Sequence, residues 1–111
     1  MTRLWCIKPK RLLLIISAPL LLLMMGCEKE PSLGEVTYQG TCIKCHANGL
    51  NGAPIFGNKK MWSKRTPQGI PTLIEHATNG YGLMPAKGGN TELTDEEISA
   101  AVNYMVSQVN N

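Results

Sequence analysis

The sequence predicts a small all-α domain with long loops, and three observations support that prediction. The clearest is the C-terminal segment, where Thr94 and Glu97 have the spacing of a capping box and apolar residues follow at helical intervals. A second helix is predicted to begin at Pro71 and to run to about Thr78, where Asn79-Gly80 closes it. Third, no segment of the 111-residue chain shows the alternating pattern of a strand.

Two further helical segments complete the prediction. Residues 34–47 are expected to form the first helix, with its apolar positions at helical spacing, and Met61–Arg65 to form one short turn. Residues 48–60 and 81–93 are rich in Gly, Asn and Pro and are predicted to be loops. Loops this long in so small a domain need something to pack on.

The N-terminal segment has the pattern of an export signal. Four basic residues precede an apolar run of 14 residues, Leu12–Met25, which is shorter than the roughly 20 residues of a spanning helix. The run ends at Gly26-Cys27, and this ending resembles a bacterial lipobox, in which the cysteine becomes the lipidated first residue. An uncleaved signal anchor and ordinary secretion are the alternatives.

A lipobox at this position predicts a signal peptide at residues 1–26, a tether at 27–33 and a domain at 34–111. Cys27 is then the lipidation site, and the domain lies on the periplasmic side of a bacterial membrane. Residues 27–111 contain seven Lys and Arg and eight Asp and Glu, so their net charge is −1. The basicity of the whole chain, +3, belongs to the signal, and no nucleic-acid partner is expected.

Residues 42–46, Cys-Ile-Lys-Cys-His, form the C-x-x-C-H pattern through which c-type haem is attached. Each thiol adds to one haem vinyl group, and the spacing fixes the ring edge against one helical turn. His46 follows directly and points its imidazole at the iron. Because c-type haem is attached outside the cytoplasm, the pattern behind an export signal predicts one covalent haem c, held through Cys42 and Cys45.

Three alternatives use the same residues. The two cysteines would also suit a redox dithiol or a structural disulfide, and together with His46 and His76 they match a zinc site by count. The dithiol is disfavoured because the chain shows no βαβ pattern. Cysteine usage favours haem, because no thiol is left over if Cys6 is cleaved away and Cys27 takes lipid.

The second axial position of the iron needs its own ligand or stays open. The candidates in the mature chain are Met61, His76, Met84 and Met105. Met84 is favoured because it lies in a loop stiffened by Pro85, and a thioether is typical of electron carriers with raised potential. Met105 lies on the apolar face of the last helix, where core packing is expected.

The mature domain resembles the class I cytochromes c, and within them the short monohaem c-five type. Besides the haem motif, the resemblance rests on Gly52-Ala53-Pro54, Trp62, Arg65, Met84-Pro85-Ala86-Lys87-Gly88-Gly89 and Leu93-Thr94-Asp95-Glu96-Glu97-Ile98. It implies the class I cytochrome c fold, with about four helices and long loops around one covalent haem. It also implies that the first and last helices cross and that His46 and Met84 are the axial ligands.

The resemblance implies roles for three further residues at the cofactor. The Pro54 carbonyl accepts the Nδ1 proton of His46, Trp62 packs at the haem and Arg65 hydrogen-bonds a propionate. Trp62 is also expected to exclude water from the haem, together with Phe56, Leu50 and Leu83. The chain departs from several c-five relatives, because it has Gly89-Asn90 where they carry an extra cysteine pair near the methionine loop.

These features predict a monomeric electron carrier rather than an enzyme. Its iron cycles between Fe(III) and Fe(II) with both axial ligands in place, and its partners are redox proteins and the membrane that holds the lipid. One alternative is a haem-based sensor or a peroxidase-like enzyme with a labile sixth ligand. The other is a cytochrome subunit of a membrane redox complex.

Overall fold

The computed structural model describes residues 29–111, and Pro31–Asn111 form one compact unit. The predicted signal peptide and Cys27 lie outside the described residues. Within the described residues, four helices are joined by long loops and no strand is present, although Tyr81 and Met84 form an isolated antiparallel bridge. The all-α fold class predicted from the sequence is therefore confirmed. None of the helices in this part of the chain combines the length and the apolar character that crossing a membrane requires.

The first helix, α1, covers residues 33–46 as three consecutive segments: α-helical Leu33–Thr37, π-helical Tyr38–Cys42 and α-helical Ile43–His46. It begins one residue before the predicted start at Gly34, because the Ser32 hydroxyl accepts a hydrogen bond from the Glu35 backbone N–H at 3.2 Å. Single π turns inside helices occur frequently at functional sites. Here the π segment ends on Cys42, so it sets the direction in which the following C-x-x-C-H turn faces.

The second helix, α2, is short and covers Lys59–Trp62. The prediction placed this turn at Met61–Arg65, two residues too late. The reason is the cap: the side-chain oxygen of Asn58 accepts a hydrogen bond from the Met61 backbone N–H at 3.0 Å, which begins the helix at Lys59. The preceding loop also contains a 3₁₀ turn at Leu50–Gly52.

The third helix, α3, covers Ile70–Asn79 and matches the predicted segment closely. Pro71 lies in its first turn, where the missing N–H costs no hydrogen bond. Gly80 ends the helix with a φ of +88°, a backbone conformation that residues with a side chain rarely adopt. The chain then enters the 81–93 loop, which contains a 3₁₀ turn at Ala86–Gly89.

The fourth helix, α4, covers Asp95–Asn110 and has the predicted capping box. The Thr94 hydroxyl accepts a hydrogen bond from the Glu97 backbone N–H at 3.2 Å, and the Glu97 carboxylate accepts one from the Thr94 backbone N–H at 2.8 Å. These hydrogen bonds to Thr94 lower the pKa of Glu97, because they stabilise the ionised carboxylate. The helix start is therefore strongest when Glu97 is charged.

The N-terminal segment of α1 packs on α4, and this is the most extensive contact between two elements of the described chain. A Cβ on Gly34 would lie 2.8 Å from both the carbonyl carbon of Ala100 and the Cβ of Tyr104, so only glycine permits this approach. Beside it, the Tyr38 ring stacks on Phe56 with centroids 4.3 Å apart, and Phe56 contacts Tyr104 at 5.5 Å. This aromatic cluster joins α1, the loop between α1 and α2, and α4.

The buried apolar side chains come mainly from α3 and α4, with additions from α1 and α2: Tyr38, Trp62, Leu73, Ala77, Ile98, Ala101, Val102, Met105, Val106 and Val109. In the described residues, no large side chain is completely buried. These residues lie on the inner faces of the helices, and one side of the core that they form borders a large cleft.

Candidate haem site

The cleft has a volume of about 530 Å³ and opens between the end of α1, the two long loops and the inner faces of α3 and α4. Its lining includes the four predicted attachment and ligand residues and the three further residues that the resemblance implies: Cys42, Cys45, His46, Pro54, Trp62, Arg65 and Met84. This volume lies in the usual range for small-molecule and cofactor sites. The fold therefore gathers these seven residues at one concave surface.

Cys42 and Cys45 are carried by α1, one on the last residue of the π segment and the other in the helical turn that follows. Both thiols are free, partly buried and in the lining of the cleft. Burial raises the pKa of the Cys42 thiol, because the apolar surroundings disfavour the thiolate. The spacing thus presents two thiols at one edge of the cleft, as covalent attachment to two vinyl groups requires.

The imidazole of His46 is held in one tautomer by the chain. Its Nδ1 lies 2.9 Å from the Pro54 carbonyl oxygen, and both residues are buried. Because a carbonyl oxygen only accepts hydrogen bonds, Nδ1 must carry the proton, and the lone pair is left on Nε2. Burial lowers the pKa of His46, so the neutral imidazole is favoured. A neutral ring with a free Nε2 is the form that binds a metal ion.

The loop after α1 holds Pro54 in place through two more hydrogen bonds. The backbone N–H of Phe56 donates to the His46 carbonyl at 2.8 Å, which ties the loop to the end of α1. The indole N–H of Trp62 donates to the Ile55 carbonyl at 2.8 Å, and its ring lies 6.2 Å from the His46 ring. Pro54 is therefore fixed between α1 and α2, and Trp62 covers the His46 side of the cleft.

Met84 lies in a tight hairpin at residues 81–84. The backbone N–H groups of Tyr81 and Met84 each donate to the other's carbonyl oxygen at 3.0 Å. The next turn is tied to the start of α4, because the ammonium group of Lys87 donates to the Leu93 carbonyl at 2.7 Å. Asn90 also donates to the Thr41 hydroxyl at 3.3 Å, which joins the loop to α1. These contacts connect the loop to α1 and α4.

Arg65 lines the cleft, and one of its guanidinium nitrogens is hydrogen-bonded within the protein. Its Nη1 donates to the Met61 carbonyl at 2.7 Å, which holds the side chain along the end of α2. A guanidinium has five N–H donors, so others are available to an anionic group in the cleft. Gln68, which sequence reasoning did not identify, also lines the cleft.

The structure places three of the four candidates for the sixth ligand at the cleft. Met84, His76 and Met105 line the cleft, whereas Met61 does not. Met105 is buried on α4 as predicted, with 5 % of its surface exposed. His76 was expected to be an ordinary partly buried or surface histidine. It is partly buried, lines the cleft and stacks on Tyr81 with centroids 4.1 Å apart.

One water-excluding residue was placed wrongly from the sequence. Phe56 was expected at the cofactor, but it belongs to the aromatic cluster with Tyr38 and Tyr104 and is absent from the cleft lining. Leu50 and Leu83 do line the cleft, at exposed positions. Sequence reasoning also missed Leu73, Ala77 and Val102, whose helical spacing on α3 and α4 indicated only a core face.

The donor set fits a covalent haem better than the alternatives. In residues 29–111, no group of three or more His, Cys, Asp or Glu side chains is arranged to hold a metal ion, which disfavours the zinc site. Two thiols, a neutral imidazole and a thioether instead border an apolar cleft lined by core residues. A large apolar ring attached at Cys42 and Cys45 would cover those core residues, whose side chains are otherwise incompletely buried.

Comparisons with known proteins agree with this geometry. A family model described as "Cytochrome C oxidase, cbb3-type, subunit III" matches residues 29–105. The chain is 41 % identical to cytochrome c-555 of Chlorobaculum tepidum, over 85 % of this chain and 91 % of that protein. It is 33 % identical to cytochrome c5 of Azotobacter vinelandii, over 65 % of this chain and 89 % of that protein.

A solved structure extends the likeness to three dimensions. It is the cytochrome c of an electron transfer complex with nitrite reductase, which is 33 % identical and superposes with a TM-score of 0.67. The alignment covers 73 % of this chain and 99 % of that one. One family assignment accounts for the haem motif at Cys42 and Cys45, the four-helix fold and these relatives. The chain belongs to the small monohaem class I cytochromes c, electron carriers rather than enzymes, which bind one covalent haem c.

Proposed function

We propose that this cytochrome carries single electrons between redox proteins at the outer face of a bacterial membrane, with His46 and Met84 as the axial ligands of its haem. When bound, the haem supplies the Fe(III)/Fe(II) couple. The observation that supports the ligand assignment best is the His46–Pro54 hydrogen bond, because it leaves Nε2 free in a cleft that Met84 also lines. A thioether as the other ligand favours a raised potential and electron carriage.

The remaining lining residues suit this role because they keep the site apolar and the ligands fixed. Trp62 is buried and its N–H is satisfied by the Ile55 carbonyl, so the ring excludes water without leaving an unpaired donor. Arg65 has donors left for a propionate. Burial and axial ligation are the main ways in which a protein sets a haem potential, and Trp62 contributes to burial while His46 and Met84 would supply the ligation.

Replacement of Met84 by Ala tests the ligand assignment. We expect the Met84→Ala protein to lose the weak red sulfur-to-iron band of the oxidised spectrum, to bind carbon monoxide in the reduced state and to have a lower potential. Met61→Ala is the matched control, since Met61 does not line the cleft and its removal should leave spectrum and potential unchanged. A Met84→Ala protein that keeps the band would show that another residue is the ligand.

The membrane location rests on Cys27 as the lipidated residue. Cys27 lies outside the described residues, and the support comes from the signal pattern and its lipobox-like ending. When the full-length sequence is expressed, we expect the purified protein to begin at Cys27 and its mass to include attached acyl chains. In the Cys27→Ser protein that added mass should be absent. Cys6→Ser is the control, because Cys6 belongs to the segment that is removed. A Cys27→Ser protein with the same mass addition would exclude lipidation at this position.

The partners are proposed to be redox proteins that touch the rim of the cleft. Leu83 is 75 % exposed and Leu50 is 54 % exposed, and both line the cleft, so a partner has direct access to its edge. Weak electron-transfer contacts are small, and a patch of this kind is sufficient for one. The solved structure of a cytochrome c in an electron transfer complex with nitrite reductase supports a redox protein as the kind of partner.

A second candidate function is a permanent cytochrome subunit of a membrane redox complex, and the description of the matching family model favours it. The chemistry at the iron is the same in both cases. Purification from membranes in mild detergent distinguishes them, because a subunit elutes with the complex and a free carrier elutes alone.

A further inference from the structure

We propose that His76 and Tyr81 form an aromatic clamp that positions Met84 over the haem site. The clamp is the stacked pair of the His76 and Tyr81 rings, whose centroids are 4.1 Å apart with an interplanar angle of 20°. This inference rests on the proposed function, in which Met84 is the sixth ligand. His76 and Tyr81 act as positioning residues in it, and neither is a ligand.

The first step is that Tyr81 and Met84 move together. Two backbone hydrogen bonds of 3.0 Å, one in each direction, join the two residues across the hairpin. Only Gly82 and Leu83 lie between them, so the hairpin has little internal freedom. A contact that fixes the Tyr81 ring therefore also limits where the Met84 side chain can point.

The second step is that the stack joins the hairpin to a rigid element. His76 lies in the last turn of α3, a ten-residue helix with Leu73 and Ala77 buried against the core. The base of the hairpin is also seated on this helix end, because a Cβ on Gly80 would lie 3.0 Å from the Met84 carbonyl oxygen and the Ala86 nitrogen. The clamp adds a side-chain attachment to this backbone attachment.

The third step is that the hairpin has few other side-chain contacts. Leu83 at its tip is 75 % exposed, and Tyr81 is 60 % exposed even with the stack in place. The stack lies at the partly exposed border of the cleft, and neither ring belongs to the buried core, so its loss opens no cavity there. We therefore expect its removal to loosen the hairpin and the Met84–iron bond while the fold as a whole persists.

The test measures how readily cyanide displaces Met84 from the oxidised, haem-loaded protein at a fixed neutral pH. We expect His76→Ala and Tyr81→Ala to raise the cyanide affinity by about two- to tenfold, the range expected from the free energy of one aromatic pair. The double variant should match either single variant, because the same contact is lost in all three. His76→Phe keeps a ring in the stack and should stay near the wild-type affinity.

Glu75→Ala is the matched control, since Glu75 is the exposed neighbour of His76 on the same helix and should leave the cyanide affinity unchanged. Unchanged affinity in both His76→Ala and Tyr81→Ala would refute the clamp, as would a His76→Phe protein loosened as much as His76→Ala. Wild-type protein that lacks the sulfur-to-iron band would instead refute Met84 ligation itself. The two failures are therefore distinct.

Discussion

Gly34→Ala is expected to destabilise the protein strongly, although alanine is the better helix former. The new Cβ would lie 2.8 Å from the Ala100 carbonyl carbon and from the Cβ of Tyr104, and closer still to the Ala100 carbonyl oxygen. Overpacking costs about 1–3 kcal/mol, and the upper value applies because backbone atoms cannot rotate away. Helix propensity returns at most about 1 kcal/mol. The net loss is about 2 kcal/mol, or about 8–16 °C in Tm for a domain of this size.

Thermal unfolding of the haem-loaded protein, followed by circular dichroism, measures this loss. Gly40→Ala is the matched control, because Gly40 lies in the same helix and its Cβ would meet nothing within 4 Å. That variant should be as stable as the wild type or slightly more stable, since it gains propensity without a clash. If Gly34→Ala melted at the wild-type temperature, the close packing of α1 on α4 would not govern stability as described.

Three further predictions concern the cofactor, the capping box and the indole. Cys42→Ala/Cys45→Ala should leave the chain largely unfolded, and a cooperative circular dichroism melt would contradict this. Because hydrogen bonds to Thr94 lower the pKa of Glu97, its contribution to stability is complete above its ordinary value of 4.5 and is lost as the pH falls through the lowered pKa. Urea unfolding of Glu97→Gln should therefore show less acid sensitivity than wild type. Trp62→Phe loses the hydrogen bond to the partly buried Ile55 carbonyl and should cost about 0.5–1.5 kcal/mol, the net contribution of one such bond.

The elements predicted well from the sequence are those specified by neighbouring residues. The capping box of α4 and the proline and glycine that bound α3 depend on contacts within a few positions, and the structure has them where they were expected. The C-x-x-C-H turn is of the same kind. The start of α2 was placed too late because the Asn58 cap was not recognised as a start signal.

The parts of the site that escaped prediction depend on contacts that helical spacing does not describe. Phe56 was expected at the cofactor, but it packs against the rings of Tyr38 and Tyr104, which are far from it in the sequence. His76 gained a partner only because Gly80 turns the chain so that Tyr81 comes back over the helix. Neither pairing lies within one helix, so helical periodicity alone could not assign these residues.

Because the cleft borders the core, some of its lining residues also stabilise the fold, whereas others mainly orient the proposed ligands. Leu73, Val102 and Met105 belong to the buried core and also line the cleft, so changes there should alter stability and haem potential together. The His46–Pro54 hydrogen bond and the clamp act instead on the orientation of the two proposed ligands. Changes at those contacts should alter ligation with a smaller effect on unfolding. One set of lining residues therefore affects both stability and haem potential, and a second set mainly affects the orientation of the proposed ligands.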